Sequence, residues 1–179
     1  MGLREKSVRV LRIGHRYVRD YRTLTHLCLV ARAFGAESIY LEEIDDGLLE
    51  SVKEVREAWG GSFEVHQIAS WKRALSEAKK EGRLVVHLTM YGVPIQDKVG
   101  ELRSHDSFLV VVGGPKVPGE VYQVADYNIA VTSQPHSEVA ALAVALHELQ
   151  GGEELKKEFE RSKLKIIPSE KGKRVEKLK

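Results

Sequence analysis

Short apolar runs of strand length alternate with stretches of helical spacing along nearly the whole chain, and this alternation narrows the fold more than any other feature. Residues 8–13 read as a strand ending at Gly14. Residues 24–34 read as a helix closed by Gly35, with Thr25 near its start. A short strand follows at 38–41. A helix capped by Asp45 or Asp46 then runs to Trp59; its apolar positions 48, 49, 52, 55 and 59 have helical spacing, and Gly60-Gly61 stops it. Further strands read at 63–68, 84–89, 108–112 and 128–131. Ser70 begins a helix with Trp71, Leu75 and Ala78 on one face, and a last long helix over 136–149 ends at Gly151-Gly152. Continuous apolar strands between helices call for an α/β fold, a parallel sheet with helices on both faces. Ligands of such sheets bind beyond the carboxyl ends of the strands. Here those ends lead into the loops 14–23, 89–94, 113–118 and 132–136.

At 179 residues the chain is long enough for one sizeable domain, with little left for a second. No apolar stretch approaches the length of a membrane span, and the charged residues 1–6 lead directly into a strand, which reads against a secretory signal. Cys28 is the single cysteine, so an internal disulfide and a cysteine-based zinc site are excluded. Together these features favour the cytoplasm. Cys28 shares a helix side with Leu24 and Ala31 and reads as packing rather than as a nucleophile. The net charge of +2 is unevenly spread: residues 151–179 carry 10 Lys+Arg against 6 Asp+Glu, the remainder 18 against 20. A basic tail beside a near-neutral body suits a nucleic-acid partner and suits a solvated tail equally well. Within that tail, Leu164-Lys165-Ile166-Ile167 can pair as a strand.

Four segments could carry chemistry. The first, residues 12–26, sets Arg12, Arg16, Arg19 and Arg22 with His15 and His26 around a strand-to-helix loop. Guanidinium groups stay charged and clamp phosphates in a bidentate manner, so this loop is expected to meet a polyanion. The alternatives are a solvated loop in which Asp20 pairs one arginine, and a metal site built on His15 and His26, for which nearby carboxylates are few. The second, His87-Leu88-Thr89-Met90-Tyr91-Gly92, offers Met90 and Tyr91 to flank a flat ring such as adenine, while His87 reads as a core histidine. In the third, 113–118, Gly113 and Gly114 permit close backbone approach and Pro115 and Pro118 stiffen the loop. The fourth, 132–138, joins an apolar strand to a helix whose first amides are open to a polar ligand. Neither a Walker sequence nor a Gly-x-Gly-x-x-Gly after the first strand is present, which weakens ordinary NTP and NAD readings.

Read in order, these segments resemble the SPOUT methyltransferases, and more closely the archaeal tRNA cytidine-56 2′-O-methyltransferase family, Trm56. The resemblance rests on residues 11–16, on Thr25-His26 with 31–36, on 87–92, on 112–118 and on 134–142, and runs from about residue 8 to 168. It implies a SPOUT domain over 1–152 with a deep trefoil knot at about 84–150, followed by a basic extension over 153–179. It also implies S-adenosylmethionine as cofactor, held by Leu88, by Gly113, Gly114, Pro115, Lys116 and Val117, and by Val131, Thr132, Ser133, Gln134, Pro135, His136, Ser137 and Glu138. The implied reaction is attack of a ribose 2′-hydroxyl of cytidine 56, in the TΨC loop of tRNA, on the sulfonium methyl, with no metal required. An arginine near the first helix assists in related enzymes, but their usual spacing falls on Leu29 here. Arg22 is the expected catalytic arginine, with Arg12 and His26 beside it and Arg16 and Arg19 on the RNA. A homodimer is implied, with the small residues Ala140, Ala141, Ala143 and Ala145 suited to close packing. The alternatives are another RNA position, a non-catalytic RNA-binding module and a small-molecule methyltransferase.

Overall fold

Each of the six apolar strands pairs in parallel with a neighbour. The computed structural model describes residues 6–14, 21–114 and 116–178. The chain runs β1 (Ser7–Ile13), α1 (Tyr21–Ala33), β2 (Ser38–Leu41), α2 (Asp46–Trp59), β3 (Glu64–Gln67) and α3 (Trp71–Lys80). It continues through β4 (Leu84–Pro94), α4 (Ile95–Leu102), β5 (Ser107–Gly113), α5 (Gly119–Val124), β6 (Tyr127–Ala130) and α6 (Glu138–Gln150). A 3-10 turn, Glu153–Lys156, leads to the antiparallel pair β7 (Leu164–Ile166) and β8 (Val175–Lys177). The main sheet has the order β3-β2-β1-β5-β4-β6.

Side-chain alternation divides the interior into two layers. Val8, Val10, Val86, Leu88, Phe108, Val110 and Val112 pack toward α1, α2, α4 and α6. Leu11, Ile13, Val85, Leu109 and Val111 face α3 and α5. Helices thus cover both faces, as the apolar strands require. Cys28 is fully buried in the first layer, and burial pushes its thiol up to about 12. That environment is the opposite of the electropositive, exposed one that makes a nucleophilic thiolate.

Local signals set most helix ends. Asp45 Oδ1 accepts from Leu48 N–H at 2.9 Å, Ser70 Oγ from Lys72 N–H at 3.2 Å, and Ser137 Oγ from Ala140 N–H at 3.1 Å. Because Ser137 is the cap, α6 begins at Glu138, two residues after the sequence-based expectation. Two α-helices have no counterpart in the sequence reading. At eight and six residues, α4 and α5 are too short to show periodicity, and neither has a side-chain cap. The strand expected to end at 89 runs on to Pro94, because the register against β6 shifts: Leu88 and Val93 both stand opposite Ile129.

The chain after Gly152 is tied to the body. Glu160 C=O accepts from Gly61 N–H at 2.9 Å, and Lys163 N–H donates to Ala58 C=O at 3.0 Å. Phe159 lies under the Arg32 guanidinium at 4.5 Å, while Arg32 Nη2 donates to the carbonyls of Trp59 and Gly60. Gly60 has φ +76, and a Cβ there would stand 2.4 Å from Glu160 O, so only glycine admits this contact. The strand expected over 164–167 is present as β7.

Candidate functional site

At the carboxyl ends of β1, β4 and β5 lies a cavity of about 480 Å³, walled on one side by the start of α6 and on another by α5. Ligand sites of small molecules have this size, and the placement is the one a parallel sheet favours. Arg12, the penultimate residue of β1, enters from the sheet. Its Nη2 and Nε donate to the two carboxylate oxygens of Glu138 at 3.2 and 3.3 Å. The Arg12 side chain is only 3% exposed and that of Glu138 12%, so the forked pair is largely shielded from water.

Glycines allow the loop after β5 to come this close. A Cβ at Gly114 would stand 3.1 Å from Arg12 Nη2 and 3.2 Å from Gly14 O, and one at Gly113 would overlap Val117 Cγ2 at 2.0 Å. On β4, a Cβ at Gly92 would meet the backbone of Asn128 and Ile129 at 2.5–2.6 Å. The shifted segment of β4 is thereby pressed against β6, and Thr89, Met90 and Tyr91 form part of the cavity wall. Thr89 Oγ1 lies 3.1 Å from Tyr122 Oη, which fastens this segment to α5.

His87 closes the floor. It is fully buried, with its ring edge-on to Tyr122 at 4.7 Å between centroids. Asn128 Nδ2 donates to Tyr122 C=O at 2.9 Å, which turns Asn128 Oδ1 toward His87 Nδ1 at 2.8 Å. Nδ1 therefore carries the proton, and Nε2 is a buried lone pair without a partner among the described residues. Burial lowers the His87 pKa below the ordinary histidine range, partly countered by the Asn128 bond. The ring is neutral and structural, in keeping with the core-histidine reading of the sequence.

Of the residues expected to hold a cofactor, Leu88, Gly113, Gly114, Val117, His136, Ser137 and Glu138 all line this cavity. Lys116, Thr132, Ser133, Gln134 and Pro135 are exposed outside its wall, and Val131 is half-buried against the core. Arg12 is in the wall. Arg22 and His26 lie on the first turns of α1, exposed, with Thr23 between them reaching the cavity. His15, Arg16, Arg19 and Pro115 lie outside the described residues. Sequence reasoning missed Thr23 and Tyr122. Nothing in their immediate neighbourhood marks them: Thr23 sits beside four arginines, and Tyr122 in a helix too short to be seen.

The comparisons with known proteins agree with this geometry. A family model described as tRNA ribose 2′-O-methyltransferase, aTrm56, matches residues 59–176. The chain belongs to the Trm56 family. A tRNA (cytidine(56)-2′-O)-methyltransferase of Methanopyrus kandleri is 52% identical over 179 residues, covering 99% of this chain and all of that protein. Among solved structures, the A. aeolicus TrmH/SpoU tRNA modifying enzyme aligns with a TM-score of 0.56 at 18% identity, over 86% of this chain and 79% of that one. The SpoU methyltransferase AviRb from Streptomyces viridochromogenes, in complex with the cofactor AdoMet, aligns with a TM-score of 0.62 at 12% identity, over 82% of this chain and 60% of that one. These two likenesses are of fold, an α/β parallel sheet of the SPOUT type. In this Trm56 chain the matched segment contains the walls supplied by β4, β5, α5 and α6. Arg12 and Thr23 precede it.

Proposed function

We propose that this Trm56 protein is an S-adenosylmethionine-dependent tRNA methyltransferase acting on the ribose 2′-hydroxyl of cytidine 56. The observation that carries the reading is the cavity, built from the segments that resemble the family, in a chain 52% identical from end to end to a protein named for that activity.

The residues fit the cofactor. Gly113 and Gly114 line the cavity, and the absence of their side chains lets Val117 and Arg12 pack close against that backbone. Leu88, Val112, Val117 and Tyr122 supply apolar surface for a flat ring, and Glu138 supplies a carboxylate for an ammonium group. The amides at the start of α6 suit a carboxylate or hydroxyls. When bound, S-adenosylmethionine supplies an electrophilic methyl on a sulfonium. The protein must then align the nucleophilic oxygen with it and ease loss of the hydroxyl proton. An arginine stays protonated, so Arg22 serves as a cation that stabilises the developing oxyanion or a neighbouring phosphate. Arg12, locked to Glu138, shapes the wall, and His26 lies one turn beyond Arg22 for ribose or phosphate contact. Arg16 and Arg19 are the RNA-binding residues of this reading, and Pro115, Lys116, Val131, Thr132, Ser133, Gln134 and Pro135 complete the cofactor loops.

The same reading includes a trefoil knot at about 84–150, a methyltransferase domain over 1–152 with a basic extension over 153–179, and a cytoplasmic homodimer. Its support is the resemblance and the small residues of α6, of which Ala140 is exposed and Ala143 half-buried, while Ala141 and Ala145 are buried in the core. Among the described residues no helix is long and apolar enough to cross a membrane.

The test is methyl transfer from radiolabelled S-adenosylmethionine to tRNA transcripts carrying C56 or 2′-deoxy-C56. Labelling of the first alone is expected. Equal labelling of both moves the target elsewhere, and none at all with the cofactor bound overturns the tRNA assignment.

A further inference from the structure

A ribose methyltransferase acts on an atom common to all nucleotides, so something beside the methyl donor has to hold the target base. The base hangs from the sugar carbon next to the one bearing the 2′-hydroxyl. When that oxygen reaches the mouth of the cavity, its base lies within one sugar ring of the rim. Tyr91 stands there. It is a wall residue, yet 76% exposed, the most exposed of the large hydrophobic side chains in the described chain. Its hydroxyl has no partner among the described residues, whereas the other exposed ring of the wall, His136, is turned back by Nδ1 onto Ser137 C=O at 3.1 Å.

Tyr91 is exposed but its backbone is held in place. Its N–H reaches Thr89 Oγ1 at 3.4 Å, Thr89 is bonded to Tyr122, and the following Gly92 is wedged against the Asn128–Ile129 backbone. The register shift in β4 projects the ring outward, since without it this position would continue the ladder opposite β6. With its backbone held, an aromatic residue has only two side-chain torsions left to order on binding, and unstacked RNA bases are held by stacking on such rings.

We propose that Tyr91 is the stacking platform for the unstacked target pyrimidine, a positioning residue on the substrate side of the cavity rather than a contact of the cofactor's adenine. The proposal rests on the ribose-methyltransferase reading.

The test is a cycle between the protein and the base. Wild type, Tyr91→Phe and Tyr91→Ala are each assayed on C56 tRNA and on the same tRNA with an abasic ribose at 56, and their affinity for S-adenosylmethionine is measured by calorimetry. Stacking predicts that Tyr91→Ala lowers kcat/KM on C56 tRNA by about 5- to 150-fold, the range for one base on one ring. Tyr91→Phe should keep near wild-type activity, cofactor affinity should stay unchanged, and the Ala and wild-type proteins should differ little on the abasic tRNA. An equal loss on both tRNAs overturns the proposal, as does weakened cofactor binding, a changed oligomeric state, or no loss at all. If wild type itself methylates neither tRNA, the underlying reading fails instead.

Discussion

Arg12 on β1 and Glu138 on the first turn of α6 meet at 3.2 Å although 126 residues separate them. The contact joins the start of the sheet to the last helix directly at the cavity. A charge on Glu138 also suits the helix N-terminus, where backbone amides are unpaired. Truncating Glu138 removes two charge-assisted hydrogen bonds from a shielded guanidinium. Glu138→Ala is expected to cost roughly 3 kcal/mol, read as a lower urea midpoint, and to weaken cofactor binding at least tenfold. Glu138→Asp, too short to reach Arg12 in the same fork, should fall between. A Glu138→Ala protein of wild-type stability would show that the pair is exchanged for water at no cost.

Gly92 follows the wall segment Thr89–Tyr91, and a Cβ there would meet only backbone. A Cβ 2.5 Å from Asn128 O has no side chain to displace, so β4 and β6 must separate. Gly92→Ala is therefore expected to destabilise the fold by about 2 kcal/mol or more and to abolish cofactor binding in the fraction that folds. Gly82→Ala, where a Cβ would meet nothing within 4 Å but the φ is +73, should cost only backbone strain of about 1 kcal/mol and leave binding intact. Calorimetric titration of both variants distinguishes the two causes.

The neutral His87 makes stability depend on pH. Its pKa lies below the unfolded value of about 6.5. In the window below that value, down to the folded pKa, the unfolded chain takes up a proton that the folded one does not. Stability is thus full above about pH 6.5 and falls as the pH drops through the window. Denaturation midpoints from pH 8 to pH 5 should decline more steeply for wild type than for His87→Phe. Parallel curves would mean that His87 titrates normally.

Lys171, Lys173 and Arg174 are exposed around the β7–β8 connection. If they meet tRNA phosphates, replacing all three by glutamine should raise the tRNA KM and leave kcat at saturation unchanged. The log–log salt slope of binding should become shallower by about 2, at 0.7–0.9 per lost contact. An unaltered slope would mark the hairpin as a structural brace for α2.

Much of this architecture was readable from local pattern. The strands at 8–13 and 108–112 are short apolar runs, Asp45 and Ser70 cap as their side chains dictate, and Gly60 and Gly151 stop their helices at positive φ. The loops that line the cavity were legible in part, because Gly113, Gly114 and the His136–Glu138 stretch carry unusual local chemistry. The helices α4 and α5 were not, since eight and six residues give period 3.6 too few repeats to register.

The sequence by itself determined most of the elements, the parallel character of the sheet and the loops at the carboxyl ends of its strands, because propensity, periodicity and capping act over a few residues. Only the tertiary structure decided which loops meet. That Arg12 would fork onto Glu138 depends on β1 lying beside β5 and on α6 returning across them. That Thr23 and Tyr122 would line the cavity depends on where α1 and α5 pack, and Tyr91 stands out where β4 shifts register against Ile129. Such contacts are set by the packing of segments far apart in the chain, and nothing in the residues beside them records it.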